Sequence, residues 1–284
     1  LDFDMAQQIH GYLRQKGVNL MLGKGVESFE ETACGLKVGI KGGESVLCDM
    51  AVLSVGVAPD SSLCAGTGIE LGFKGGILTD DHMRTSVPDI YAVGDAVIIK
   101  NAVTRENSLI SLAGPANKQG SIAADNICGI PSVYTGAQGS SVIKLFDMTA
   151  ASTGINEKTA RRLGLKYDKV FTYSASHASY YPGGSNMSVK VLFDTETGKI
   201  LGGQIVGFDG VDKRIDVLAP AIAAGMTYED LSDLDLAYAP PYSSAKDPVN
   251  MVGYIIGNLM SGEFRQYHWH DVPALQANGG VTLL

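Results

Sequence analysis

The chain has 284 residues, of which 45% are hydrophobic and 18% are charged, and its formal net charge is −8. This length suits about two domains, and the composition is typical of a globular protein. The acidic balance argues against a nucleic-acid partner, and the apolar runs are too short to span a membrane. The four cysteines are scattered without metal-binding spacing, so we expect reduced thiols in a cytoplasmic protein and no metal site.

The first 57 residues predict a helix followed by strands. Apolar residues at helical spacing indicate a helix over 5–16, which Gly17 ends. Strand-like segments follow at 18–23, 35–40 and 44–56, and the last of them ends at Gly56. A helix, strands and an apolar strand that ends in glycine are typical of the second half of a nucleotide-binding α/β unit.

Residues 75–97 predict two strands, and the second of these stops at Gly94 and presents Asp95. A carboxylate at the carboxyl end of a strand can accept a hydrogen bond from a sugar or polyol hydroxyl, and the preceding glycine lets such a ligand approach the backbone. A helix over 114–129 follows, with Pro115 in its first turn. The free N–H groups at the start of this helix favour a negatively charged or electron-rich ligand.

The composition changes near residue 135, where we place a domain boundary. Beyond it, residues 140–155 begin a region of strands and helices. The pattern predicts helices at 156–163, 211–224 and 245–263, and strands at 167–174, 187–194 and 199–206. Residues 266–284 predict a linker and the first strand of a further domain. His268 and His270 are two residues apart and are assigned to this linker.

The stretch RTSVPDIYAVGDAV (84–97) resembles the second flavin-binding motif of the two-dinucleotide-fold disulfide reductases, the pyridine nucleotide-disulfide oxidoreductase family. The resemblance implies that Asp95 holds the ribityl chain of FAD and that Gly94 admits it. In the same family the helix after this motif aims its amino-terminal end at the isoalloxazine ring. Ala113 and Gly114 are therefore the remaining candidate flavin contacts.

The segment LSVGVAPD (53–60) is similar to the end of the family's NAD(P) domain, which implies that Gly56 lets NAD(P)H pass close to the backbone. The implied fold class is α/β (α+β), with remnants of the NAD- and FAD-binding domains followed by an α+β dimerisation domain. The expected parts are 1–57 (carboxy-terminal part of the NAD(P) domain), 58–135 (carboxy-terminal part of the FAD domain), 136–265 (dimerisation domain) and 266–284 (linker and start of a rhodanese domain).

Three later segments, SHASYYPGG (176–184), DKRIDV (212–217) and YAPPYSSAKDP (238–248), resemble coenzyme A disulfide reductases and NADH-dependent persulfide reductases. In that branch, tyrosines of the dimerisation domain reach the partner subunit's active site. The resemblance implies that Tyr180 and Tyr238 are catalytic and that Lys246 contacts coenzyme A. A phenol can donate a proton to a thiolate or persulfide sulfur, and an ammonium group can pair with a diphosphate.

Asn117 is a candidate substrate contact, because it stands where some coenzyme A disulfide reductases have a histidine that touches substrate. This departure favours a persulfide substrate. Lys213 and Arg214 are expected in a salt bridge or on a solvated helix face.

The resemblance therefore implies an FAD-dependent, NAD(P)H-using homodimer that reduces coenzyme A disulfide or persulfides at a site shared across its interface. Disulfide exchange needs a thiolate, and none of the four cysteines matches the family's nucleophile. We therefore expect this chain alone to have little or no turnover. The alternatives are an NADH oxidase or peroxidase of the same fold and a non-catalytic module for dimerisation and flavin contact.

Overall fold

The structure, a computed structural model, describes residues 1–277, which group into two compact units. The amino-terminal unit comprises His10–Lys100 and Asn107–Gly136. The carboxy-terminal unit comprises Leu1–Ile9, Asn101–Glu106 and the residues from Ala137 onward. Within residues 1–277 no helix has the length and apolar character needed to cross a membrane.

The amino-terminal unit contains two small sheets and a helix. Helix α1 (Phe3–Gln15) enters it, and an antiparallel meander follows, made of β1 (Val26–Thr32), β2 (Gly35–Ile40) and β3 (Glu44–Cys48). The second sheet consists of β4 (Ile77–Leu78), β5 (Val97–Lys100) and β6 (Asn107–Ser108), with β4 parallel and β6 antiparallel to β5. Helix α2 (Ala113–Ile127) comes next and lies where the sequence predicts a helix.

Two strand predictions in this unit are wrong. Residues 18–23 form no strand, and the chain after β3 has no regular structure from residue 50 through Gly56. A strand must pair its N–H and C=O groups with a neighbour, and no described strand pairs with either segment. Val52 and Val55 are accordingly 81% and 92% exposed. Apolar alternation alone therefore does not make a strand here.

The segment before Asp95 is a turn and not the predicted strand. An isolated bridge joins Arg84 to Tyr91 across Pro88, which has no N–H to contribute to a ladder. Strand β5 begins only at Val97. Asp95 therefore lies just before a strand, whereas the sequence placed it after one.

The carboxy-terminal unit is built on one antiparallel sheet. Its strands are β7 (Ser141–Leu145), β8 (Met148–Gly154), β9 (Tyr167–Ala175), β10 (Asn186–Asp194) and β11 (Ile200–Gly207), in the order β7-β8-β11-β10-β9. Its helices are α3 (Glu157–Arg162), α4 (Val211–Ala223), α5 (Tyr228–Asp233), α6 (Pro248–Met260) and α7 (Val272–Ala277). Helix α7 is absent from the sequence prediction, and the strand predicted at the chain end lies outside the described residues. The mixed helix-and-sheet fold class is confirmed.

Strand β10 is buried on both faces, although Ser188 and Lys190 interrupt its apolar sequence. Val189, Val191 and Phe193 belong to the main core cluster, together with side chains of α4 and α6. Because side chains alternate along a strand, Lys190 and Leu192 point to the opposite face. There Leu192 packs in a smaller cluster with α3. The sheet is therefore covered on both sides within this unit.

Lys190 is fully buried at the centre of a charge cluster on that second face. Its Nζ lies 2.9, 2.8 and 2.5 Å from carboxylate oxygens of Asp2, Asp4 and Glu157. Lys169 Nζ adds a 2.7 Å contact to Glu157. The three carboxylates lie close enough together to hold a metal ion, but the Lys190 ammonium already supplies the cation between them.

Replacing Lys190 with Met should be strongly destabilising, because it leaves buried carboxylates without their counter-charge. We expect a loss of about 3–5 kcal/mol in the free energy of unfolding, measured by urea denaturation. Lys166→Met is the matched control, since it removes an exposed lysine paired with Glu196 and should cost under about 1 kcal/mol. Equal losses in the two variants would contradict the role assigned to Lys190.

The same cluster makes the unit sensitive to acid. Burial alone would raise the pKa of Glu157, but hydrogen bonds and charge from Lys169 and Lys190 outweigh it and lower the pKa from 4.5 to about 2. A lowered pKa in the folded state gives stability that is present above the unfolded value and lost as the pH falls through the folded value. We therefore expect the melting temperature to fall from pH 4.5 toward about 2.

Glu157→Gln should flatten this part of the melting profile. The difference corresponds to at most about 3 kcal/mol, at 1.36 kcal/mol for each pKa unit. Glu196→Gln, an exposed change, is the control and should leave the profile unaltered. A Glu157→Gln profile that matched the parent below pH 4.5 would refute the linkage.

Candidate functional site

Two tyrosine hydroxyls meet at the surface of the carboxy-terminal unit. Tyr180 lies in the loop between β9 and β10, and Tyr238 lies in the segment between α5 and α6. Their Oη atoms are 3.1 Å apart, a hydrogen-bonding distance, although the residues are 58 positions apart in sequence. The side chains are 74% and 46% exposed. Both hydroxyls are therefore available to a ligand.

Backbone hydrogen bonds hold together the two loops that carry these tyrosines. The N–H of Ala178 donates to the carbonyl oxygens of Pro240 and Ser243, at 3.3 and 2.9 Å. His177 is buried beside them, and its ring meets the Tyr181 ring edge-on at 5.8 Å. The contact between the tyrosines thus belongs to a joined pair of loops.

The contact favours the protonated form of the Tyr238 hydroxyl. The hydrogen bond with Tyr180 is the main cause that raises the pKa of Tyr238 above its ordinary value of 10, and partial desolvation and charge repulsion act in the same direction. At neutral pH the Tyr238 phenol is therefore neutral and able to donate.

Lys246 belongs to the same stretch of chain as Tyr238 but points elsewhere in the structure. Its side chain is exposed, and its Nζ lies 5.4 Å from the centre of the Tyr254 ring on α6. This distance suits a cation–π contact. The structure thus brings Tyr180 and Tyr238 together and places Lys246 against the surface of α6.

A cavity of about 580 Å³ opens next to Tyr238. One wall is the start of α4 and the residues before it, and the other is the chain around Tyr238. Its lining residues are Asp209, Gly210, Asp212, Lys213, Arg214, Ala237, Tyr238, Ala239, Pro241 and Tyr242. This volume lies within the usual range of small-molecule sites.

The second candidate group lies in the amino-terminal unit around Asp95. Gly94 has φ +94, a conformation that favours glycine, and its N–H donates to Oε1 of the buried Gln119 at 2.7 Å. Ser111 Oγ contacts the Asp95 backbone oxygen at 3.4 Å. The Asp95 side chain itself is exposed, and within residues 1–277 its carboxylate accepts no hydrogen bond.

Helix α2 begins close to this turn without a capping side chain. Leu112 is its N-cap and makes no side-chain cap hydrogen bond, and Ala113 and Gly114 are exposed. The first N–H groups of the helix are therefore open to an acceptor. Asn117 is exposed too, but its Nδ2 donates back to the Ala113 oxygen at 2.8 Å.

Gly56 has φ +92 and lies in the irregular stretch after β3, and no described hydrogen bond joins it to the group around Asp95. Of the two expectations for Arg214, the salt bridge is found and the solvated helix face is not, because the residue is buried and pairs with Asp247; the sequence named neither its burial nor its partner. The available signal was Arg214 itself, a charged residue that adjoins the core positions of α4, among them Val211, Ile215 and Leu218.

Comparison with known proteins identifies the class of protein. A family profile described as pyridine nucleotide-disulphide oxidoreductase matches residues 1–120, and the profile of that family's dimerisation domain matches residues 140–248. The chain belongs to the pyridine nucleotide-disulphide oxidoreductase family.

Three relatives show which members of the family the chain is similar to. Coenzyme A disulfide reductase from Staphylococcus aureus (strain JH9) is 34% identical over 255 residues, which are 89% of this chain and 57% of the relative. The reduced CoADR-RHD protein of Bacillus anthracis is 45% identical with a TM-score of 0.94, over 98% of this chain and 50% of that one. An NAD-dependent persulfide reductase from A. fulgidus is 38% identical with a TM-score of 0.91, over 96% and 51%. The chain thus spans between 50% and 57% of the length of these proteins.

The hydroxyl pair can be tested by titration. Replacing Tyr180 with Phe removes the hydrogen bond that raises the pKa of Tyr238, so this pKa should fall toward 10. NMR of tyrosines labelled with ¹³C at Cζ would measure the change. Tyr181→Phe is the matched control, because the neighbouring ring contacts His177 and leaves the pair intact. An unchanged Tyr238 titration in Tyr180→Phe would contradict the pair.

Proposed function

We propose that the chain is part of an FAD-dependent NAD(P)H oxidoreductase that reduces coenzyme A disulfide or persulfide substrates. The observation that carries this proposal is the exposed hydroxyl pair of Tyr180 and Tyr238, with an Oη–Oη distance of 3.1 Å. The similarity to a coenzyme A disulfide reductase and to a persulfide reductase supports the same substrate class. Asn117, in place of a histidine, favours the persulfide.

The tyrosines would serve as proton donors. When a sulfur–sulfur bond breaks, the departing sulfur gains negative charge, and a neutral phenol can stabilise it by donating a hydrogen bond or a proton. Because Tyr180 and Tyr238 share one hydrogen bond, either hydroxyl can accept from the other while donating outward. The exposed ammonium group of Lys246 would pair, as a point charge, with the diphosphate of coenzyme A.

The group around Asp95 fits FAD. Its exposed carboxylate accepts no hydrogen bond within the described residues, so it can accept one from a ribityl hydroxyl. Gly94 leaves open space beside the backbone, with no atom within 4 Å of an added Cβ. The uncapped N–H groups at Ala113 and Gly114 suit an electron-rich ring edge. Bound FAD would carry electrons from the nicotinamide to sulfur.

The remaining parts of the proposal concern the whole protein. We propose the four-part domain division given by the sequence, a cytoplasmic homodimer with a site shared across the interface, and passage of NAD(P)H near Gly56. The dimerisation-domain profile supports the homodimer. We also propose that the nucleophile is a cysteine other than Cys34, Cys48, Cys64 and Cys128. The isolated 284-residue chain is then expected to show little turnover when NADH oxidation is measured.

The reaction can be tested with the intact protein that contains this chain. NADH oxidation should be rapid under anaerobic conditions with coenzyme A disulfide or coenzyme A persulfide, and slow in a separate assay in air without either compound. Because either hydroxyl can donate outward, the double variant Tyr180→Phe with Tyr238→Phe should lower kcat about 10²–10⁴-fold, the usual contribution of a proton donor. Tyr173→Phe, an exposed tyrosine on β9, is the control and should retain activity. Rapid turnover with air alone would point instead to the oxidase alternative.

Flavin binding is tested separately from turnover. Asp95→Ala should reduce the FAD retained by the purified intact protein, measured from its flavin absorbance after gel filtration, because the acceptor for the ribityl chain is lost. Asp49→Asn removes another exposed acid of the same unit and should retain FAD. Full FAD content in Asp95→Ala would remove Asp95 from the flavin site.

A further inference from the structure

We propose that Arg214 is a positioning residue that fixes the Tyr180 and Tyr238 hydroxyls relative to each other. The link to catalysis rests on the proposed function, whereas the positioning itself can be measured without turnover.

Arg214 is buried in a place where an arginine is costly. The residue is 1% exposed, next to the apolar core residues of α4. A buried guanidinium is tolerated only when its donors are satisfied and its charge is paired. The partners of its N–H groups therefore indicate the structural role of the buried guanidinium.

Those partners lie on both tyrosine-bearing loops. Arg214 Nη2 donates to the Ser176 carbonyl oxygen at 2.8 Å, in the loop that leads to Tyr180. The same nitrogen lies 3.2 Å from Ser243 Oγ and 3.0 Å from Asp247 Oδ2, in the segment that follows Tyr238. One guanidinium nitrogen thus joins the two loops.

Asp247 fixes the second loop to the rest of the fold. It is the N-cap of α6, and its Oδ1 accepts from the Val249 N–H at 3.1 Å while its Oδ2 accepts from Ser243 Oγ at 2.5 Å. Burial would raise the pKa of Asp247, but the hydrogen bonds from Ser243, Val249 and Arg214 outweigh it and lower the pKa. The carboxylate is therefore charged and pairs with Arg214.

The geometry requires arginine and not merely a cation. A guanidinium offers five N–H donors in a rigid plane, whereas an ammonium offers three donors at one point. Arg214 uses this spread, because Nη1 also approaches the Gly210 oxygen at 3.3 Å. Gly210 leaves room for it: an added Cβ would lie 2.1 Å from Nη1, and its φ of +70 favours glycine.

The test uses Arg214→Lys in the intact protein, with Arg162→Met as the control. Arg162 is an exposed arginine on α3 that pairs with Glu106. The first readout is the Tyr238 titration by ¹³Cζ NMR, with and without Tyr180→Phe. The second is kcat and KM for coenzyme A disulfide.

In Arg214→Lys we expect Tyr180→Phe to have no further effect on the Tyr238 titration, because the hydroxyls no longer meet. We expect kcat to fall about 10–100-fold, as for a small misplacement of a reacting group, with KM little changed. The control should retain both properties. If Arg214→Lys does not fold, Ser243→Ala removes one contact and should weaken both readouts in the same direction.

A Tyr238 titration in Arg214→Lys that still responds to Tyr180→Phe, together with kcat within twofold of the parent, would overturn the proposal. Absence of turnover with both coenzyme A disulfide and coenzyme A persulfide in the parent protein would instead refute the proposed function. The titration would then still decide whether Arg214 positions the pair.

Discussion

The carboxy-terminal unit depends on the burial of one ammonium group. Lys190 points from the interior strand β10 into the face of the sheet that residues 1–9 and α3 cover, where three carboxylates surround it. Removing a charge from water is unfavourable unless good partners replace the water. The cluster therefore requires Asp2, Asp4 and Glu157 in fixed positions. It holds the first residues of the chain against a sheet whose strands lie more than a hundred residues further along the sequence.

Because residues 1–9 and α3 cover that face, the candidate site is built on the opposite face of the sheet. Helices α4 and α6 pack there on the apolar side chains of β10 and β11. The start of α4 and the start of α6 provide the buried pair of Arg214 and Asp247, and the tyrosine loops attach to this pair. The unit thus uses one buried ion cluster on each side of the sheet, one for cohesion and one beneath the candidate site.

Much of the carboxy-terminal unit could be predicted from sequence, because its elements obey simple periodicities. Strands β9 to β11 and helices α4 and α6 follow the apolar pattern closely. The approach of Tyr180 and Tyr238 followed from family resemblance and not from spacing, since no local rule relates residues 58 positions apart. Arg214 could not have been assigned from the pattern, because its partners come from two loops that only the tertiary fold brings together.

The amino-terminal unit was harder to predict for a physical reason. The segments 18–23 and 50–56 have strand-like composition, but a strand exists only through its neighbour. The same limit applied to the segment before Asp95, where Pro88 interrupts the pattern. The break in the pattern at Gly94 and the helix predicted over 114–129, observed as Ala113–Ile127, were nevertheless located from sequence, because glycine and proline act locally.

The hydrogen bond between Tyr180 and Tyr238 determines the directions in which the pair can donate a proton. Two hydroxyls that share one hydrogen bond have a single O–H left to point outward. Rotation about the two C–O bonds can exchange the roles of Tyr180 and Tyr238 without moving a heavy atom. The pair can therefore present a proton from either ring while its heavy atoms stay in place. The side from which the acceptor approaches decides which ring donates.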